Sequence, residues 1–258
     1  MKNYHTHTKR CGHAKGTDEE YVIAAIEGGF DELGFSDHAP MLFPKNLNYY
    51  STYRIKPWDA LDYTQSIKEL KEKYSNKILI HCGFELEYYP NLFKDEVEYL
   101  KSIGAEYFIL GQHFTLDEYQ RNAFYCGHET DSRDIFEQYL KQCIEGLETE
   151  KFNYLAHPDL INFTGDRDYY AEKMQKFCKR LKELGYPIEF NLLGFEEKRQ
   201  YPNEIFWRIA AEEKNRVIIG VDAHRPEALK NTSLYMDAVK YLNKLGITPI
   251  KEAELMKI

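Results

Sequence analysis

Seven times along the chain, a short apolar run is followed by a stretch with the spacing of an amphipathic helix. The apolar runs fall at residues 2–4, 32–36, 78–85, 106–111, 153–156, 187–191 and 216–221. After the first run, Thr17-Asp18-Glu19-Glu20 reads as a capping box. Tyr21, Val22, Ala25 and Ile26 then give one buried stripe, and Gly28-Gly29 ends the helix. Further helices are expected near 58–74, 94–103, 132–150, 169–184, 203–214 and 233–245, before a last apolar stretch at 247–250. Such a repeat predicts an α/β fold, either a barrel of parallel strands or a doubly wound open sheet. No low-complexity segment, Ser/Gly-rich linker or charge block divides it, so residues 1–258 are expected to form a single domain. Two long connections, 39–57 and 114–131, are rich in Tyr, Phe and Asn. Both leave the carboxyl ends of strands and are expected to be lids or pocket walls.

What stands at the strand ends chooses the barrel. His5 and His7 follow the first strand, two apart and therefore on one face; His13 lies just beyond. Asp37-His38 follow the second strand and Glu85 ends the third. His113 follows the fourth, His157 the fifth, and Asp222 with His224 the seventh; the sixth ends at Asn191. Carboxyl ends of parallel strands converge on one mouth. Seven of the nine histidines, with a Glu and an Asp, are thus expected around one cavity. Imidazole and carboxylate together suit Zn, Mn or Fe, and nine ligands exceed the needs of one ion. Two to three divalent transition metals are the expected complement. His81, four residues before Glu85, shares its face but lies deeper, as a hydrogen-bonded core histidine. His128 falls in the second long loop, either at the surface or in the pocket.

The net charge of −8 and the absence of a basic stripe speak against nucleic acid or anionic lipid as partner. A small anionic substrate remains open, because it sees the local field of its pocket. The five cysteines are scattered, with no CxxC pair, as expected of reduced cytoplasmic thiols. No apolar stretch is long enough for a membrane span, and no signal peptide is expected before the first histidines.

The motifs His5-Thr-His7, His13, Ser36-Asp37-His38, Gly83-Phe84-Glu85, Gly111-Gln112-His113-Phe114, Ala156-His157-Pro158 and Gly220-Val221-Asp222-Ala223-His224 resemble, in order, those of the polymerase and histidinol phosphatase (PHP) family. Within that family they look most like the histidinol-phosphate phosphatases. The resemblance implies a distorted (β/α)7 TIM-like barrel with its metal site at the carboxyl ends of the strands. It implies that His5, His7, Glu85 and Asp222 hold a first metal. Glu85 would bridge to a second, completed by His113 and His157, and His13, His38 and His224 would hold a third. It further implies hydrolysis of a small phosphate monoester, L-histidinol phosphate, in histidine biosynthesis, by attack of a metal-bridging hydroxide on phosphorus. Phosphotyrosine or nucleotides are alternative substrates, and a non-catalytic accessory domain is an alternative role. Glu85, Asp222 and His224 are the expected catalytic residues. His38 is expected to meet substrate as well as metal, and Arg167 and Arg199, leaving strand ends, to clamp the phosphate.

Overall fold

In the computed structural model, which describes residues 1–253 and Leu255, the expected repeat appears as strands running the same way. β1 (Lys2–Asn3), β2 (Glu32–His38), β3 (Leu79–Leu86) and β4 (Tyr107–Leu110) pair in parallel in chain order. The second long loop carries an unexpected antiparallel pair, β5 (Phe114–Thr115) with β6 (Phe124–Tyr125). β7 (Ile188–Asn191) and β8 (Val217–Gly220) form a second parallel pair. The expected fifth strand is reduced to one residue. Leu155 bridges Leu110 on one side and Ile188 on the other, and so joins the two sheets. A further bridge, Thr6 with Ala223, ties the end of the last strand to the start of the first. There the His7 N–H donates to Ala223 O (3.0 Å) and the Ala223 N–H to His5 O (3.2 Å). The strands therefore curl into a distorted barrel whose seams are single bridges.

The helices lie close to their expected places: α1 (Asp18–Glu27), α2 (Ala60–Lys73), α3 (Phe93–Ser102), α4 (Arg133–Glu148) and α5 (Arg167–Leu184). Next come α6 (Leu192–Glu197), α7 (Glu204–Glu212) and α8 (Thr232–Lys244). The Thr17 capping box forms as read, with Glu20 reaching back to the Thr17 N–H. α6 was not expected. Asn191 starts it by accepting from the Gly194 N–H at 3.0 Å, so the residue that ends β7 also caps a helix. No helix among the described residues is long and apolar enough to cross a membrane, and all five cysteines are buried and unpaired.

Two apolar layers result. Outside the strands, Tyr21 and Val22 of α1, Tyr63 and Ile67 of α2, Phe136 and Leu147 of α4 and Trp207 of α7 join one continuous core. A smaller cluster, Tyr4, Tyr107, Ile109, Tyr154, Ala156 and Ile218, packs together on the other side. Tyr107 Oη reaches both Tyr4 O (2.8 Å) and Phe35 O (3.0 Å), and its ring occupies the space a side chain at Gly34 or Gly83 would take. These tyrosines plug the barrel deep among the strands, which leaves the carboxyl ends as its open mouth. His81 sits near the plug, 2.8 Å from Glu32, bonded rather than poised as a ligand.

Glu96 of α3 is fully buried and accepts the Leu42 N–H at 2.7 Å, where the first long loop begins. Burial holds its carboxyl up to about 7, against the partial relief of the Leu42 and Met41 amides. Between the ordinary carboxylate range and about 7, the folded chain binds a proton that the unfolded chain has shed. Stability should therefore fall as pH rises through that window. Glu96→Gln should remove this loss: unfolding midpoints of the two proteins should diverge between pH 5 and pH 8 in the variant's favour. Parallel pH profiles would show that Glu96 does not titrate there.

Candidate metal centre

Pairing register explains how so many polar groups meet. On β3, Glu85 pairs with His38 of β2 on one side and Ile109 of β4 on the other, so strand ends lie level around it. Glu85 is only 1 % exposed and faces five imidazoles. His157 Nε2 is 2.8 Å from Oε1 and His113 Nε2 3.6 Å; His38 Nδ1 is 2.9 Å from Oε2, His5 Nε2 3.5 Å and His7 Nε2 3.6 Å. A Cβ at Gly111 would come within 1.8 Å of Glu85 Oε1, so only glycine fits beside this carboxylate. Asp222 Oδ1 lies 3.0 Å from His7 Nε2, 3.5 Å from His5 Nε2 and 3.2 Å from His224 Nδ1. The ring of His224 stacks on that of His7 at 4.0 Å, and its Nε2 comes to 3.0 Å from His13 Nε2. Two of these residues have left-handed backbones, His157 (φ 28°) and Asp222 (φ 53°). Such strain in non-glycine residues is concentrated at functional sites. The structure thus brings all nine expected ligands together.

Most of these contacts are close but not made as hydrogen bonds; the exceptions are His157 Nε2 to Glu85 Oε1 and His224 Nε2 to His13 Nε2. His5 Nε2, His7 Nε2, His38 Nδ1, Glu85 Oε2 and Asp222 Oδ1, all facing the centre, are buried without a hydrogen-bond partner. Buried polar atoms are rarely left so, and lone pairs aimed at a common point are what a cation requires. The groupings His5/His7/Asp222, His5/Glu85/His157 and His7/His38/His224 each place their ligand atoms within 4.8 Å of one another. The residues present fit transition-metal ions.

Behind the imidazoles stand carboxylates that sequence reasoning left out of the site. Glu189 Oε2 is 2.8 Å from His5 Nδ1, and Asp37 Oδ1 is 3.3 Å from His7 Nδ1. Glu87 Oε1 is 3.2 Å from His113 Nδ1. The first two contacts are hydrogen bonds at Nδ1, the third a charge contact at Nδ1, and each leaves Nε2 facing the centre. A signal was available: Glu189 is two residues before Asn191 and Glu87 two after Glu85, so each shares a strand face with the mouth. A Cβ at Gly220 would meet Glu189 Oε2 at 2.2 Å, so this second carboxylate also leans on a glycine.

The electrostatics divide the histidines. Burial lowers His5, but Glu189, Asp222 and Glu85 outweigh it and hold the imidazole well above its usual range. His7, likewise lowered by burial, is raised to about 9 by Asp222 and Asp37. His38 is driven well below the usual range, chiefly by burial and by neighbouring His7 and His113 against the pull of Glu85. His13 falls to about 4 through burial and the nearby His224. Glu85 and Asp222 stay ionised, since their histidines overcome the cost of burial.

Above the nine lies a cavity of about 680 Å³ walled by Tyr53, Phe114, Tyr125, His128 and Tyr201. Both long loops therefore supply walls, as expected. Arg199 lines the same cavity, held by Glu197 (Nε to Oε2, 2.8 Å) and Tyr201 (Nη1 to Oη, 2.9 Å). Arg167 does not. It is exposed on the first turn of α5 and faces a separate cleft with Phe163, Tyr170 and Asn203. The connection from His157 is tied outward, because Asp159 accepts the Asn203 N–H (2.5 Å) and the Trp207 Nε1–H (3.1 Å). α5 consequently starts outside the mouth. Arg167, read from the sequence as a phosphate clamp, therefore lies apart from the cavity that the nine residues border.

Glu189→Gln should keep the fold yet weaken zinc retention about 10- to 100-fold, the usual cost of losing a carboxylate behind a ligand histidine. Competition with a chromophoric chelator would measure it. Unchanged retention would make Glu189 a packing group.

The PHP domain family model matches residues 3–192, which hold every expected ligand except Asp222 and His224. A Deinococcus radiodurans protein named probable histidinol-phosphatase is 27% identical over 248 residues, 94% of this chain and 92% of its own. The Bacillus subtilis histidinol-phosphatase is 23% identical over 255 residues, 86% of this chain and 92% of its own. Among solved structures, the Lactococcus lactis histidinol phosphate phosphatase, in complex with zinc, L-histidinol and phosphate, superposes with a TM-score of 0.74. It is 18% identical, and the match covers 100% of this chain and 98% of that one. Fold, ligand geometry and family match agree: the chain belongs to the PHP domain family.

Proposed function

We propose that this chain is a metal-dependent phosphomonoesterase that hydrolyses L-histidinol phosphate to L-histidinol and phosphate. The observation that carries the reading is the meeting of seven histidines with Glu85 and Asp222 beside one cavity, which His13, His38, Glu85, His113, His157, Asp222 and His224 line with His5 and His7 buried behind them. The histidinol-phosphatase names of relatives that match most of the chain supply the substrate. The buried, unpaired thiols fit a reducing cytoplasm.

In this reading His5, His7, Glu85 and Asp222 would hold one ion, and Glu85 with His113 and His157 would serve a second. His13, His38 and His224 would hold a third. Zinc suits the donors, as in the Lactococcus relative, and manganese or iron would also be accepted. The ions supply Lewis acidity and acidify a water toward neutral pH, which gives a nucleophile strong enough for a phosphate monoester. The chain's own groups do the rest. Arg199, the guanidinium lining the cavity, offers N–H donors to the phosphoryl oxygens, and His38 faces the same space. Asp222, kept ionised, would take the proton shed by the attacking water. It would return that proton, directly or through His224 Nδ1 at 3.2 Å, to the leaving alkoxide oxygen as its bond to phosphorus breaks. Tyr53, Phe114, Tyr125 and Tyr201 present rings to a planar imidazole on the leaving group.

In a screen of phosphomonoesters, L-histidinol phosphate should give the highest kcat/KM. Arg199→Ala should keep its metal and lose roughly 2–4 kcal/mol of transition-state stabilisation, about 30- to 1,000-fold in kcat/KM. Arg167→Ala should match the wild type. Preference for tyrosine phosphate or a nucleoside monophosphate would redirect the assignment. An Arg199→Ala variant with normal kinetics would remove the arginine from the site.

A further inference from the structure

Arg54 is the largest charged side chain fully buried in the structure, at 1 % exposed, and the proposed chemistry does not use it. It comes from the first long loop. Its partners come from two other segments: Glu87, just beyond β3, and Glu118, in the second long loop, with Nε 2.7 Å from Glu118 Oε2 and Nη2 on Glu87 Oε1. One planar fork therefore joins both loops to the strand that carries Glu85. Tyr53, next to Arg54, is drawn into the same knot. Its hydroxyl accepts from Arg54 Nη2 at 2.8 Å and lies 3.2 Å from Glu118 Oε2. Its ring stands edge-on to His38 at 5.5 Å and stacks with Phe114 at 5.8 Å. Tyr49 extends the knot outward, donating to Glu118 Oε1 at 2.7 Å.

Glu87 is the hinge between this knot and the metal centre. It accepts from Arg54, from the Tyr89 hydroxyl and from the Phe114 N–H (3.3 Å), and the same carboxylate stands 3.2 Å from His113 Nδ1. The knot holds two buried carboxylates and one guanidinium. Such a group is one positive charge short and is costly to bury unless another cation stands nearby. The side open to that cation is His113, whose Nε2 faces Glu85.

We propose that Arg54 and Glu87 are positioning residues that latch both long loops shut when the metal centre is loaded, with His113 as the link. The proposal rests on the metal-centre reading and goes beyond it in one respect: loop closure and metal occupancy become reciprocal, each favouring the other. Neither residue touches the reacting atoms.

Proteolysis reads the loop directly, since Leu47, Tyr50 and Trp58 are exposed and cleavage follows the open population. Chymotrypsin cleavage within residues 39–58 would be timed with and without saturating zinc, and zinc binding followed separately by calorimetry. In the wild type, zinc should slow cleavage at least about tenfold. In Arg54→Met, and in Glu87→Gln at zinc concentrations raised to offset retention weakened about 10- to 100-fold, zinc should still bind, because the nine ligands remain, but the slowing should shrink to about twofold or less. A merely structural Arg54 would speed cleavage equally in both states and leave the zinc ratio at its wild-type value; that result overturns the proposal. Glu118→Gln, which cuts the second loop alone, carries the same test if Arg54→Met fails to fold. Wild-type protein that binds zinc without any change in cleavage overturns the latch and leaves the metal centre standing. Failure to bind zinc at all overturns both.

Discussion

Everything at the mouth of this barrel depends on one buried anion. Glu85 lies on the middle of the curled sheet, fully withdrawn from water, with five imidazoles directed at its two oxygens. A carboxylate in such a place is prohibitively costly unless positive charge surrounds it on several sides. Only His157 hydrogen-bonds it, through Nε2 to Oε1 at 2.8 Å; Oε2 and the nitrogens of His5, His7 and His38 that face it are left without partners. Cations between the carboxylate and the imidazoles satisfy both at once. Parallel strands make the arrangement possible, because they deliver side chains from separate parts of the chain to one level.

The same demand extends outward in shells. Asp37, Glu87 and Glu189 turn the first ring of histidines so that Nε2 points inward, and each is itself held. Thr8 donates its N–H to Asp37 at 3.0 Å, Asn191 donates to Glu189 at 2.7 Å, and Arg54 clasps Glu87. Asn191 also donates to Asp222 at 3.0 Å, so the strand end that carries no ligand still fixes two acids of the site. Orientation of ligands, closure of the loops and the plug of tyrosines beneath are successive consequences of placing charge where water is excluded.

The legible part of this structure is the part written in local periodicity. Strand–helix alternation, the Thr17 cap and the polar residue at each strand end are short-range signals, and they carried the fold and the nine converging residues. Leu155 shows the limit. An apolar run at 153–156 reads as a strand, yet the barrel's distortion leaves it one bridge on each side. α6 was hidden because Asn191 looks like the end of a strand and its role as a cap depends on Gly194 three residues later. Arg167 and Arg199 look alike in sequence, both following strand ends. What separates them is the anchoring of Asp159 to Asn203 and Trp207, a contact across more than forty residues. Arg54 gave no signal at all, since nothing local distinguishes a buried arginine in a polar loop from a solvated one.

The central claim is that Glu85 sits between metal ions rather than in a bare cluster of histidines. Anomalous diffraction at the zinc absorption edge, from crystals of zinc-loaded protein, tests it directly. The account predicts two or three peaks within about 2.0–2.3 Å of nitrogen or oxygen atoms of the nine residues, two of them on either side of Glu85. A single peak, or peaks that leave Glu85 without a metal neighbour, would contradict it.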